Sequence, residues 1–232
     1  MLNKIVNIVK MTKPIAATFF LVMLVGFDMP ASSTERAGVV LLKQYCENDW
    51  AILLGEKNGT TNEWKSVNFP AGIAQNGEKK DLRDAAIREM KEETGGPHSP
   101  LKNVTKDQLF TSYLESTNAS SKIRLYFLDV TPLGNVGKDS LTKGVKAALN
   151  NPNLSGDYKE VSGYWAVAVQ DIVKAAKRVK NGVNSAGKRR FESRGNNTQL
   201  QLESYYTQAL ADRVDGLCEI LKKITGIDYS KA

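Results

Sequence analysis

The chain has 232 residues, 41% of them hydrophobic and 25% charged, which suits one globular domain with appendages. Its net charge of +7 suits polyanionic ligands such as nucleotides, inositol phosphates or RNA, or an anionic membrane surface, without choosing among them. A single histidine, His98, and two distant cysteines, Cys46 and Cys218, argue against His-based catalysis, a His-rich metal site and a disulfide framework.

Residues 1–33 stand apart. Lys4, Lys10 and Lys13 precede an apolar run over 15–27, and small residues follow at 31–33. This is the three-part layout of a secretory signal peptide. The run is short for a membrane span, which needs about 20 apolar residues. An uncleaved anchor and a buried element of the fold are the other readings. The layout predicts a chain that is exported, or membrane-associated through this segment alone, with a cytoplasmic location as the alternative. The domain proper then occupies 34–232. Residues 37–42 and 49–54 are β-rich and predict two strands, 57–62 a loop, and 64–69 a short strand leading to Pro70.

The stretch 68–96 is the most informative. No Pro or Gly falls between Lys79 and Thr94, and Leu82, Ala85, Ala86 and Met90 recur at helical spacing. Gly95, Gly96 and Pro97 then end the helix, because Gly accepts a left-handed cap and Pro cannot continue one. At about 100° per residue, Glu89, Glu92 and Glu93 share an arc of about 100° with Leu82, Ala85 and Ala86. Lys91, Asp84 and Arg88 are expected on the far side. Carboxylates crowded on a protein-facing side repel one another and lose hydration, and a hard divalent cation with oxygen ligands relieves both. A solvated acidic face is the ordinary alternative for such a triplet. Gly72, Gly77 and Glu78 precede the helix in a Gly-containing loop, which lets backbone approach a phosphate or metal.

Gly72, Glu78, Arg88, Glu89, Met90, Glu92, Glu93 and Gly95 match in order the pattern G-x5-E-x7-R-E-U-x-E-E-x-G-U, where U is a bulky aliphatic. The stretch therefore resembles the Nudix box of the Nudix hydrolases. Two features depart from it. Nine residues separate Glu78 from Arg88 where the pattern has seven; strict spacing would put Ala74 and Lys80 at the Gly and Glu positions, so a two-residue insertion near Lys79 and Lys80 is the better alignment. Gly96 also stands where an aliphatic residue is expected.

The remaining elements follow in order. Residues 108–115 and 122–130 predict an antiparallel strand pair around a turn at 117–120, and 131–159 a long connection with a short helix at 141–149. Residues 160–171 read as an acid, an aromatic strand and a helix start with Asp171 as cap, followed by a basic helix over 172–179. The polar, basic segment 181–197 predicts a loop, in which Lys188, Arg189, Arg190 and Arg194 are candidates for phosphate contact or simply a solvated surface. Leu200, Leu202, Tyr205, Leu210, Val214, Leu217, Ile220 and Leu221 predict one long amphipathic helix over 198–224.

The resemblance implies an α+β fold, an α/β/α sandwich around a mixed sheet with a catalytic loop–helix–loop. It implies hydrolysis of a nucleoside diphosphate linked to another moiety, with Mg²⁺ or Mn²⁺ as cofactor. Glu89, Glu92 and Glu93 would be metal ligands, one of them serving as base, with Glu92 the candidate; the Gly72 carbonyl and Glu78 would join the ligand set. Arg88 would orient the glutamates. Glu160 is placed to reach the cleft from an adjacent loop, or to be a solvent-facing strand-end acid. Tyr113 is a candidate base-stacking ring, with core packing as the alternative. The substrate classes left open are dinucleoside polyphosphates, nucleotide sugars, and capped or 5′-triphosphate RNA ends. Inositol pyrophosphate hydrolysis and nucleotide binding without hydrolysis are the alternatives.

Overall fold

The apolar run at 37–42 offers water no polar side chain, so a strand built from it must be covered on both faces. The computed structural model describes residues 34–232 apart from 60–62, 118–120 and 183, and the signal-like segment expected over 1–33 lies outside the described residues. The strands are β1 (Thr34–Cys46), β2 (Asp49–Lys57), β3 (Lys65–Asn68), β4 (Ala71–Ile73), β5 (Tyr113–Thr117), β6 (Ser121–Asp129), β7 (Val161–Ala168), β8 (Arg190–Glu192) and β9 (Gln199–Leu202). Among the described residues they form one mixed sheet in the order β5-β6-β1-β2-β3-β9-β8, with β4 on β1 and β7 on β2. β1 sits near its middle, antiparallel to β2 and β4 and parallel to β6.

The helices are α1 (Leu82–Glu93), α2 (Lys138–Leu149), α3 (Val169–Lys180), α4 (Ser204–Asp212) and α5 (Val214–Thr225). Successive strand side chains point to opposite faces, and the core divides accordingly. Ala37, Val39 and Leu41 of β1 pack with Leu82, Ala85, Ala86 and Met90 of α1 and Leu141 and Val145 of α2. Val40 and Leu42 pack in the opposite cluster with Ile172 and Val173 of α3, Leu210 of α4 and Leu217 of α5. The result is an α/β/α sandwich, as the resemblance implies, with the acid-bearing helix on one face.

Several local expectations change. The single helix expected over 198–224 is a strand and two helices. Leu200 and Leu202 alternate at the strand period and are buried in β9, and Arg213 breaks the helix with φ −127° while its Nε donates to the Glu115 carbonyl at 2.9 Å. The loop expected over 181–197 contains a 3-10 turn, Ala186–Arg189, and β8, because Phe191 is drawn into the core. The strand expected from 108 starts at Tyr113; residues before it form a 3-10 turn in which the Gln108 side chain accepts from the Thr105 N–H at 2.9 Å. Asp171 is not the cap of α3. β7 runs straight into that helix with Ala168 at the cap, which leaves Asp171 in its first turn.

Candidate active site

α1 is positioned at both ends. Asp81 caps its N-terminus, its carboxylate accepting the Arg83 N–H at 3.1 Å. Ala85 and Ala86 are fully buried and small, so the helix lies close to the sheet. At the other end Thr94 Oγ1 donates to the Met90 carbonyl at 2.7 Å, and Gly95 (φ 110°) and Gly96 (φ 56°) reverse the chain in left-handed conformations. The Tyr158 ring occupies the space a Cβ at Gly96 would need, which is the physical reason for glycine where the box has an aliphatic residue. The two-residue insertion is taken up by a 3-10 turn, Glu78–Lys80, ahead of the Asp81 cap.

β4 carries the opposing wall. It pairs with β1 through Ala37–Gly72 and Arg36–Ile73, which sets Gly72 against α1 so tightly that a Cβ there would overlap the Glu89 carboxyl group. The Ala71 N–H donates to Glu93 Oε1 at 3.1 Å.

Arg88 joins these parts. The helical wheel put it on the far side, but it lies one turn before Glu92 on the border of the acid arc, and its long side chain bends inward. Its Nε donates to Glu78 Oε1 at 2.8 Å and Nη2 to Glu78 Oε2 at 3.1 Å. Nη1 donates to Glu89 Oε1 at 2.8 Å and Glu92 Oε2 at 2.9 Å, and Nη2 also donates to the Ile73 carbonyl at 3.0 Å. All five guanidinium N–H groups are thereby engaged. Glu78 also accepts the Gln75 N–H at 2.8 Å, so it fixes Arg88 to the loop.

The electrostatics are those of a crowded acidic site. Glu93 is only 4% exposed and its Oε2 has no hydrogen-bond partner. Burial pushes its carboxyl well above the usual carboxylate range, with Glu89 and Glu160 adding to the effect and the Ala71 N–H opposing it. Burial also raises the carboxyls of Glu89 and Glu92, while the Arg88 charge pulls them down.

A cleft of about 490 Å³ opens on this group, lined by Gly72, Arg88, Glu89, Glu92 and, at its rim, the exposed Asp157 and Glu160. Glu160 therefore stands at the cleft, at the end of the turn that enters β7. Asp157 and Arg36 also line it and escape sequence reasoning. Asp157 carries a faint signal, an acid in the same turn as Glu160. Arg36 carries none, since only the β1–β4 pairing brings it there. Tyr113 is not brought to the acids. It starts the edge strand β5, 42% exposed, its ring 5.5 Å from Tyr126 and under Arg124 at 4.9 Å, and it lines a different cavity with Arg213 and Glu219.

Among the described residues no three His, Cys, Asp or Glu side chains converge in a geometry that could hold a metal ion. Arg88 holds Glu89 and Glu92 as they stand. The donor chemistry nonetheless fits a hard divalent cation: oxygen ligands only, raised carboxyls and an unpartnered buried Glu93 oxygen.

A family model described as NUDIX domain matches residues 33–178, more than half of the chain. The chain belongs to the Nudix hydrolase family. Nudix hydrolases generally use divalent cations such as Mg²⁺ or Mn²⁺. Solved Nudix structures resemble this chain. A C. elegans Ap4A hydrolase binary complex has 18% identity over 67% of this chain and 91% of that one, with a TM-score of 0.36. A MutT/nudix family protein from Enterococcus faecalis has 17% identity over 92% and 83%, with a TM-score of 0.38. A NUDIX hydrolase from Alicyclobacillus acidocaldarius has 14% identity over 66% and 85%, with a TM-score of 0.37. Likeness this distant transfers no substrate. No curated protein matches the chain. The Nudix match ends inside α3, so β8, β9, α4 and α5 lie beyond it.

Proposed function

We propose that the chain is a metal-dependent pyrophosphohydrolase that cleaves a nucleoside diphosphate linked to another moiety. The observation that carries this reading is the Arg88 cluster. One guanidinium gathers Glu78, Glu89, Glu92 and the Ile73 carbonyl at the wall of a cleft, beside a buried glutamate with an unsatisfied oxygen. A fold gains little stability from acids held this way, since burying charge is unfavourable and exposed pairs contribute about 0–1 kcal/mol.

Glu89, Glu92 and Glu93, with the Gly72 backbone and the rim acids Asp157 and Glu160 close by, are the groups that would hold Mg²⁺ or Mn²⁺. When bound, the cation supplies charge neutralisation on the diphosphate oxygens and a lowered pKa for water. The chain's own residues do the rest. Arg88 fixes the glutamate rotamers and donates to the β4 carbonyl, which holds the loop and helix walls together. Glu92, half-buried and facing the cleft, is the group whose position suits it to accept a proton from attacking water. Glu78 supports Arg88 and acts through it.

Dinucleoside polyphosphates, nucleotide sugars and RNA 5′ ends are the candidate substrates. The insertion in the box gives no support to a binding-only module, because the 3-10 turn absorbs it and leaves Glu78 on Arg88. The test is a nucleotide and capped-RNA panel with Mg²⁺, its products identified by ³¹P NMR. Cleavage at a diphosphate that Glu92→Gln abolishes is expected. Tight binding with no turnover of any member by folded, Mg²⁺-supplied protein would overturn the enzymatic reading.

A further inference from the structure

A second cavity, of about 610 Å³, adjoins the acid cleft and shares Arg36 and Ile73 with it as common wall. Its volume is in the range of small-molecule sites, about 300–1,000 Å³. Ile73 is 52% exposed, an apolar floor between the two spaces. The far wall is Tyr205, the first turn of α4, with Glu203 just before it. Tyr205 is a fixed ring. Its hydroxyl is 3.1 Å from Ser121 Oγ, and the buried Tyr206 packs edge-on to it at 5.6 Å. Arg36 faces the ring at 5.7 Å. Tyr206 in turn donates to the Ala71 carbonyl at 3.4 Å, and Ala71 holds Glu93, so the cavity wall and the acid site are tied through one residue.

The charge of the cavity narrows its ligand. Lys57 pairs with Glu203 at 3.3 Å, which leaves Arg36 as the net positive charge, at the junction of the two spaces. That suits one phosphate passing between the cavities and a neutral, aromatic, hydrogen-bonding group beyond it. It does not suit a ring carrying many phosphates. We propose that this cavity is the nucleoside subsite of the hydrolase. The base lies against Tyr205 and Ile73, its polar edge meets Glu203 and Ser121, and Arg36 engages the phosphate that leads to the acids. Glu203 and Tyr205 lie beyond the Nudix match at 33–178, so the C-terminal extension supplies the selection that the box does not. The inference rests on the hydrolase reading for its place in the reaction, but binding tests it without turnover.

The experiment is calorimetric titration of the full chain, with Mg²⁺ present, using α,β-methylene-ADP and methylenediphosphonate, the same non-hydrolysable diphosphate without a nucleoside. The wild-type protein is expected to bind the nucleotide at least about fivefold more tightly, the lower end of what one base–aromatic stack supplies. Tyr205→Leu should remove that advantage and leave methylenediphosphonate binding unchanged, which also shows that the variant is folded. Tyr205→Phe should retain it. Tyr205→Met, which leaves the acid cleft untouched, repeats the test should Tyr205→Leu not fold. Equal binding of the two probes by wild type, undiminished nucleotide binding by the leucine and methionine variants, or tighter binding of inositol hexakisphosphate than of the nucleotide would overturn the subsite. The expected binding pattern with no turnover on the nucleotide panel would leave the subsite standing and sink the hydrolase reading. Turnover with binding indifferent to Tyr205 would do the reverse.

Discussion

Gly72→Ala separates the acid site from the stability of the fold. Gly72 has no left-handed φ, so alanine fits its backbone and can add about 0.4–1 kcal/mol through the unfolded chain. Its new methyl, however, would overlap the Glu89 carboxyl group, where an ordinary contact begins at 3.4 Å. The backbone of β4 is pinned to β1, so the flexible glutamate must yield, by roughly 1 Å, and a misplacement of that size in a reacting site costs about 100-fold in rate. That is about 2.7 kcal/mol of barrier, with little or no loss of folding stability. The assay is kcat on the best substrate of the panel beside chemical denaturation of both proteins. A variant that keeps wild-type kcat would refute the claim that Glu89 must lie against Gly72. A variant that unfolds would refute the claim that the side chain alone gives way.

The other predictions use different handles. Arg88→Lys replaces five directed donors with a point charge, so it should lower activity by about 10- to 100-fold while the protein stays folded; retention of full activity would show that the cluster is not organised by the guanidinium. Glu89, Glu92 and Glu93 have folded carboxyl pKa values above an unfolded value of about 4.3, so the folded state holds more protons and their ionisation costs stability as pH climbs from about 4.3 through the raised values. Asp49 and Asp81, held low by Arg194 and Arg83, titrate below that window. The gain in Tm on adding Mg²⁺ should therefore be larger at pH 8 than at pH 5, and equal gains would contradict the assignment. The signal-like layout at 1–33 predicts a mature chain beginning near Ser33 when expressed with an export pathway, as read by N-terminal sequencing; an intact Met1 on a chain not bound to membrane would count against it.

Much of the site was written locally in the sequence. The small residues Ala85 and Ala86 share an arc with three glutamates, which together with the match to the box points the acids towards protein; Gly95 with Gly96 ends the helix where expected. The β-rich run at 37–42 likewise declares a strand buried on both faces. What stayed hidden depends on tertiary contact. The wheel places Arg88 on the far side from the acids, and only its reach across to β4 makes it the hub of the cluster. Arg36 enters the cleft through strand pairing, and Tyr113 leaves it because β5 is an edge strand. Residues 198–224 mix a two-residue and a helical period, and the apolar count alone does not reveal the change of period at Glu203 or the break at Arg213.

The central claim is that the acidic side of α1 grips a divalent cation in the cleft beside β4. Titration with Mn²⁺ followed by electron paramagnetic resonance measures it directly, because bound ions drop out of the free-ion signal. The account predicts depletion of that signal by the wild-type chain and its loss in Glu89→Gln/Glu92→Gln. Equal depletion by the two proteins, or none by either, would contradict it.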